Sequence, residues 1–250
     1  MIKPLVAGNW KMHGNTETAS HLVSQLVTQW NDRPEAERSV EMVLFPPSVY
    51  LHLVKEAVAG TGIAVGAQNM SQYVSGAYTG EISGDMLVDQ GCAYVLVGHS
   101  ERRELFTESN ATVAGKFQAA QNSGLTPILC VGETLQQRQQ EQTVAVVAAQ
   151  IKAVIDSVGL HNVCRAVVAY EPVWAIGTGE TASAEQAQQV HKAIRTQLGD
   201  LGTDTRLLYG GSVKASNATE LFSQPDINGG LVGGASLEPN EFLKIVQRAE

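Results

Sequence analysis

The sequence predicts an α/β fold: a single (β/α)8 barrel of eight parallel strands with outer helices, spanning all 250 residues. Three observations predict it. Short apolar runs rich in β-branched residues alternate with longer segments whose apolar positions recur at helical spacing. The alternation continues through eight units with no linker or low-complexity break, and strands separated by helices pair in parallel. An open doubly wound sheet uses the same elements. However, no Gly-x-Gly-x-x-Gly opens the first helix, and eight is the number of units that closes a barrel.

The elements follow in order. A strand over 5–8 ends in Asn9-Trp10-Lys11, and Thr16 caps a helix with Leu22, Val23, Leu26, Val27 and Trp30 on one face. The second strand, 42–45, stops at Pro46-Pro47; Ser48 caps the next helix, with Leu51, Val54 and Val58 inward. The third strand, 63–67, runs into a long loop over 68–83, bounded by Gln68 and Ser83. A short helix over 85–90 precedes the fourth strand, 94–97. Asn110 caps a helix that carries Val113, Phe117 and Ala120 and ends at Gly124. After the fifth strand, 127–131, the residues Val144, Val147, Ile151, Val154, Ile155 and Val158 trace a long helix to Gly159.

The sixth strand, 166–170, is the most informative. Glu171 stands where it leaves the core, and Pro172 cannot continue a ladder. An apolar tip over 173–176 is followed by Gly177 and Gly179, the pattern of a lid that closes over something. Ser183 and Gln186 form a Ser-x-x-Gln capping box for a helix that buries Ala187, Val190, Ile194 and Leu198. Strands over 206–209 and 229–232 complete the series, with helices near 217–222 and 240–247.

Composition narrows the partners. With 44% hydrophobic and 17% charged residues there is ample material for a core. A net charge of -8 argues against nucleic acid and anionic membrane surfaces. Cys92, Cys130 and Cys164 show no paired or metal-ligand spacing, so no metal site is expected and a reducing compartment is the default. There is no signal-peptide h-region and no apolar run of transmembrane length. These features give the expectation of a soluble, cytoplasmic protein.

Active sites of eight-stranded α/β barrels gather at the C-terminal strand ends. There stand Asn9 and Lys11 after strand one, Gly98-His99-Ser100-Glu101-Arg102-Arg103 after four, Glu171 after six, Gly210-Gly211-Ser212 after seven and Gly233-Gly234 after eight. A lysine after a strand is usually a solvated charge, a lone histidine usually structural, and a Gly-Gly pair usually a tight turn. The fold nevertheless aims all of them at one mouth, where glycine turns with exposed N–H groups suit a phosphate. A carboxylate with neither a metal cluster nor a nucleophile–base pair points to proton abstraction beside a carbonyl. Cys130, at the end of strand five, is read as packing.

The blocks Asn9-Trp10-Lys11, Gly98-His99-Ser100-Glu101-Arg102-Arg103, Ala169-Tyr170-Glu171-Pro172-Val173-Trp174-Ala175-Ile176-Gly177-Thr178-Gly179, Tyr209-Gly210-Gly211-Ser212-Val213 and Gly233-Gly234-Ala235-Ser236 together resemble the triosephosphate isomerase family over the whole chain. The resemblance implies a TIM barrel that interconverts dihydroxyacetone phosphate and D-glyceraldehyde 3-phosphate through an enediol(ate), in glycolysis and gluconeogenesis, without a cofactor. It implies that Glu171 moves the proton between C1 and C2, that His99 polarises the carbonyl, and that Lys11 offsets substrate charge. Asn9 would position the substrate; Gly177, Ser212, Gly233 and Gly234 would hold the phosphate through backbone N–H groups. Glu101 would pair with Lys11, and Ser100 would hold Glu171 while the site is empty. His99, at the start of a short helix, would stay neutral; this is a known property of the family, carried over with the resemblance rather than deduced from these residues. One departure stands at Glu180, where the family often carries lysine.

Two other classes fit the residues taken singly. An aldolase-type barrel would use Lys11 as a Schiff-base lysine, but such a lysine sits buried on a strand, whereas Lys11 lies beyond a strand end. A non-catalytic phosphosugar binder would have no need of both Glu171 and His99. The 68–83 loop is too long for a simple turn, and Met70, Tyr73, Val74 and Tyr78 are poor choices for solvent. It reads either as a lid over its own site or as a partner surface. The resemblance implies a homodimer, with Thr79 reaching the partner's Asn9 and the partner's Lys11.

Overall fold

Runs such as Leu-Val-Ala-Gly-Asn and Val-Val-Ala-Tyr are apolar on both faces, and every residue in them is buried. Such strands are stable only between two apolar layers, as in a parallel sheet covered by helices. The computed structural model describes residues 2–34, 38–175 and 181–250. Its elements run β1 (Leu5–Asn9), α1 (Thr16–Asn31), β2 (Glu41–Phe45), α2 (Leu51–Ala57), β3 (Ala64–Ala67), α3 (Gly84–Asp89), β4 (Tyr94–Val97), α4 (Ser100–Leu105), α5 (Asn110–Asn122) and β5 (Thr126–Val131). They continue with α6 (Leu135–Gln139), α7 (Thr143–Val158), α8 (Leu160–Cys164), β6 (Val167–Tyr170), α9 (Ala184–Leu198), β7 (Arg206–Tyr209), α10 (Ala218–Phe222), β8 (Gly229–Val232) and α11 (Pro239–Gln247). The eight strands close into a barrel in chain order, with β1 parallel to both β2 and β8. Among the described residues, no helix is long and apolar enough to cross a membrane.

Strand alternation divides the apolar residues into two cores. Leu5, Ala7, Val43, Phe45, Leu96, Ile128, Val167, Ala169 and Leu208 fill the barrel interior. Val6, Leu44, Val95, Leu129 and Val168 face outward and pack with helix residues such as Leu26, Phe117, Ile151 and Ile194. The N-terminal end of the barrel is tied by charge. Arg206 donates to Glu41 at 2.6 Å and to the Tyr94 hydroxyl at 2.9 Å, and Tyr94 donates to Glu41 at 2.5 Å. Polar groups at this end serve cohesion, while those at the other end are available for chemistry.

Some boundaries differ from the sequence expectation. Asn15 rather than Thr16 caps α1, and Ser109 rather than Asn110 caps α5; each accepts an N–H from the residue three positions on. Ser48 makes no side-chain cap: residues 48–50 form a 3-10 turn ahead of α2. Val144 is 53% exposed at the start of α7, whereas Val147, Ile151 and Val154 are buried. The Ser183/Gln186 capping box is present.

Gly66 on β3 lies against the Phe45 ring, and a methyl group there would overlap the ring. Gly66→Ala is therefore expected to destabilise the fold by about 1–3 kcal/mol through overpacking. Denaturant titration measures it; unchanged stability would mean that the Phe45 ring moves freely inside the barrel.

Candidate functional site

The C-terminal strand ends enclose a cavity of about 380 Å³ lined by Asn9, Lys11, His99, Glu171, Ser212, Gly233 and Gly234, among others. These seven expected residues thus meet in one place. Gly177 and Glu180 belong to 176–180, outside the described residues. The start of the expected lid, Val173–Ala175, is a 3-10 turn.

Glu171 is the most constrained member. Its backbone N–H continues the ladder past β6, donating to Val131 O at 2.7 Å, and Gly210 N–H donates to Tyr170 O at 2.7 Å on the other side. Both neighbours are necessarily small. A Cβ on Gly132 would collide with the Glu171 carbonyl, and one on Gly210 would come within 2.8 Å of the Glu171 Cγ. Glu171 is 2% exposed, and both carboxylate oxygens are engaged. Ser100 donates its backbone N–H to Oε2 at 2.8 Å, and His99 Nε2 lies 3.0 Å from Oε1. Ser100 thus contacts Glu171 through its main chain.

His99 caps α4, its Nδ1 accepting the Glu101 N–H at 3.3 Å. An accepting Nδ1 places the ring proton on Nε2, facing Glu171. Opposing influences act on this ring. Burial does lower the imidazole pKa, but the adjacent Glu171 carboxylate, reinforced by Glu101, outweighs it, and the net displacement is upward.

Lys11 adopts φ +52, a conformation uncommon outside glycine. Its N–H donates to Asn9 Oδ1 at 3.0 Å, and its carbonyl accepts from Gln68 Nε2 at 2.8 Å. Its Nζ bonds Glu101 Oε1 at 2.5 Å, in keeping with the expected pairing of these two residues. Burial alone would raise the Glu101 pKa, but Lys11, with the His99 and His13 imidazoles nearby, holds it below the usual carboxylate value. Thr79 stands exposed on the 68–83 loop and does not line this cavity. Cys130, fully buried inside the barrel, has its thiol pushed well above the ordinary range by burial, with Glu171 adding to the effect; that environment suits packing rather than nucleophilic chemistry.

Further participants do not stand out in the sequence. Glu133, 0% exposed, follows β5 and accepts from Tyr170 OH at 3.1 Å and from Trp174 Nε1 at 2.9 Å, tying the first turn beyond Glu171 to the barrel. Arg138 stacks on Trp174, 4.2 Å from its ring centre. Gln68, after β3, braces Lys11, and His13 lines the cavity. The signal that finds Gln68 and Glu133 is their place at the ends of the third and fifth strands.

Fold and cluster together define a class: a (β/α)8 barrel with a carboxylate, an imidazole and an ammonium at its C-terminal mouth, beside two glycine turns. Comparison with known proteins narrows it. A family model described as triosephosphate isomerase matches residues 4–249. A protein of Thiobacillus denitrificans named triosephosphate isomerase is 54% identical, covering 100% of this chain and 99% of its own. Proteins of the same name from Nitrosomonas europaea and Pseudomonas entomophila are each 51% identical, over 98% and 100% of this chain and 97% and 99% of their own. The chain belongs to the triosephosphate isomerase family.

The upward displacement of His99 has a checkable cause. In Glu171→Gln the neighbouring charge is gone while burial remains, so the His99 pKa is expected to fall relative to wild type. Nitrogen NMR titration of both proteins measures it; equal values would reject Glu171 as the cause.

Proposed function

We propose that this chain is an isomerase interconverting dihydroxyacetone phosphate and D-glyceraldehyde 3-phosphate, with Glu171 as the proton carrier. The observation that carries the reading is the convergence of Glu171, His99, Lys11 and Asn9 with Ser212, Gly233 and Gly234 on one cavity, in a chain of this family. Glu171 takes the proton from C1 of the ketose, leaving an enediolate, and returns it at C2. His99 donates from Nε2 to the carbonyl oxygen and exchanges protons between the two enediol oxygens. Lys11 offsets the charge of substrate and intermediate, and Asn9 helps to orient them. Ser212, Gly233 and Gly234, with Gly177, present N–H groups to the phosphate.

The resting geometry bears on how this cycle starts. A carboxylate with both oxygens engaged is not yet a base, so Glu171 must leave Ser100 and His99 to reach C1. The residues over 172–179 act as the lid that completes the site and excludes water, which protects the enediolate from losing phosphate. A general base contributes about 10²–10⁴-fold; preorganised N–H groups and a dry cavity supply the remainder. The free cysteines suit a reducing compartment, consistent with work in the cytoplasm.

We further propose that two copies pair through the 68–83 loop. Tyr73, Val74 and Tyr78 are 45%, 66% and 42% exposed on it, the tyrosine rings stacked at 4.1 Å, and Met12 is 94% exposed near the mouth. A depression of about 650 Å³ beside Lys11, walled by Met12, Glu101, Leu105 and Phe106, suits the partner's loop, with Thr79 approaching the partner's Asn9 and the partner's Lys11.

Two measurements test these readings. Glu171→Gln keeps shape and removes the acceptor, so kcat should fall by at least about 10² with little change in KM, while a near-normal kcat would remove Glu171 from the reaction. Sedimentation should find a dimer of the 26.6 kDa chain, with activity lost on dilution to monomer; a fully active monomer rejects the pairing.

A further inference from the structure

A second cavity of about 260 Å³ touches Glu171 as well, and is lined by Gly98, Ser100, Arg103, Cys130, Gly132 and Gln150 among others. It lies where two strands part. The ladder between β4 and β5 stops at the Val97–Leu129 pair, while β5 continues alongside β6 to Val131–Tyr170. Gly98 is the first residue of the fourth strand beyond that ladder, and its φ of +72 turns the chain into His99 and Ser100. The two groups that hold Glu171 therefore stand on backbone that the sheet no longer fixes.

Arg103 of α4 supplies the missing tie. Its side chain reaches back along the cavity, with Nε donating to Gly98 O at 2.8 Å, Nη2 to Cys130 O at 3.1 Å and Nη1 to Asn110 Oδ1 at 2.8 Å. Its backbone N–H donates to His99 O at 3.1 Å, so one residue holds the carbonyls before and after the His99 side chain. Cys130 is a firm anchor, because it pairs with Ala169 inside the ladder between β5 and β6. Gly98 leaves room for the fork: a Cβ there would come within 2.9 Å of Nη2. Burial lowers the guanidinium pKa, with Glu171 among the groups that oppose it, so Arg103 senses the carboxylate charge. Both Glu171 oxygens are nevertheless engaged by Ser100 and His99, and the planar fork is spent on carbonyls.

We propose that Arg103 is a positioning residue for the reaction: its fork bridges β4 and β5 past their last rung and so sets where the Ser100 N–H and the His99 ring meet Glu171. The inference rests on the reading of Glu171 and His99 as the reacting groups. Arg103 acts through them and through the 98–100 backbone, and it does not line the cavity that holds Lys11 and Ser212. A displacement of about 1 Å at reacting groups costs on the order of 10²-fold in rate. Ser212, Gly233 and Gly234 stand on the turns after β7 and β8, to which Arg103 makes none of these bonds, so substrate binding is spared when the fork is lost.

Two variants separate geometry from charge. Arg103→Met keeps the stem and removes every side-chain donor, while Arg103→Lys keeps the charge and loses the fork. For both and for wild type, kcat, KM and the inhibition constant of sulfate against substrate are measured at one pH and ionic strength. In both variants kcat should fall by on the order of ten- to a hundredfold, with KM and the sulfate constant within about twofold of wild type. A near-normal kcat in Arg103→Met overturns the proposal. A near-normal kcat in Arg103→Lys also overturns it, since charge alone then suffices, and this comparison stands even if Arg103→Met fails to fold. A rise in KM and in the sulfate constant as large as the fall in kcat overturns positioning in favour of general loosening of the barrel mouth. The isomerase reading fails separately, if wild type does not interconvert the two triose phosphates or if Glu171→Gln keeps a near-normal kcat.

Discussion

The site is organised by one contact across the barrel mouth, in which the Glu171 carboxylate is held between the Ser100 N–H and the His99 ring. The two sides of that contact are 71 residues apart in sequence and reach each other only because β4, β5 and β6 are hydrogen-bonded neighbours in register. Glu171 is fixed further by the ladder extending one residue past β6 on both flanks, which needs Gly132 and Gly210 to leave room. A buried carboxylate without such partners would cost several kcal/mol or take up a proton. Here a backbone N–H and the imidazole ring offset the loss of water around the carboxyl group. In the proposed reaction these same bonds must be exchanged for contacts with the substrate.

Around this contact, tasks are divided by position along the barrel axis. The N-terminal end is tied by Glu41, Tyr94 and Arg206, whose hydrogen bonds satisfy one another. The middle is apolar, with Cys130 among the side chains that fill it. The C-terminal end carries polar groups whose bonds are exchangeable. Glu133 extends the arrangement outward: with its carboxylate at 0% exposure and bonded to Tyr170 and Trp174, the chain leaving β6 starts from a fixed direction.

Much of this is legible in the sequence, for identifiable reasons. Strands buried on both faces appear as unbroken apolar runs, and the residues after them are positioned by topology alone, so Asn9, Lys11, His99, Glu171, Ser212, Gly233 and Gly234 can be grouped from the sequence by itself. Helix starts slip by one residue where two capping types stand side by side, as in Asn15-Thr16 and Ser109-Asn110, because both can accept the N–H and only the backbone angles decide. The five-residue helices α6 and α8 are too short to show a periodicity. What the sequence does not show of His99 is the carboxylate 3.0 Å away. That distance exists only in three dimensions.

Lys11 carries a consequence of a different kind. Its φ of +52 belongs to the region where a Cβ is penalised, and glycine would occupy it without strain. Left-handed geometry in a residue other than glycine costs on the order of 1 kcal/mol. Glycine at this position would relieve that strain but lose the ammonium and its bond to Glu101. On the proposed role of Lys11, a lysine there sets substrate charge against backbone strain. Searches for heat-tolerant variants of this barrel that score folding alone would be drawn to the wrong residue first.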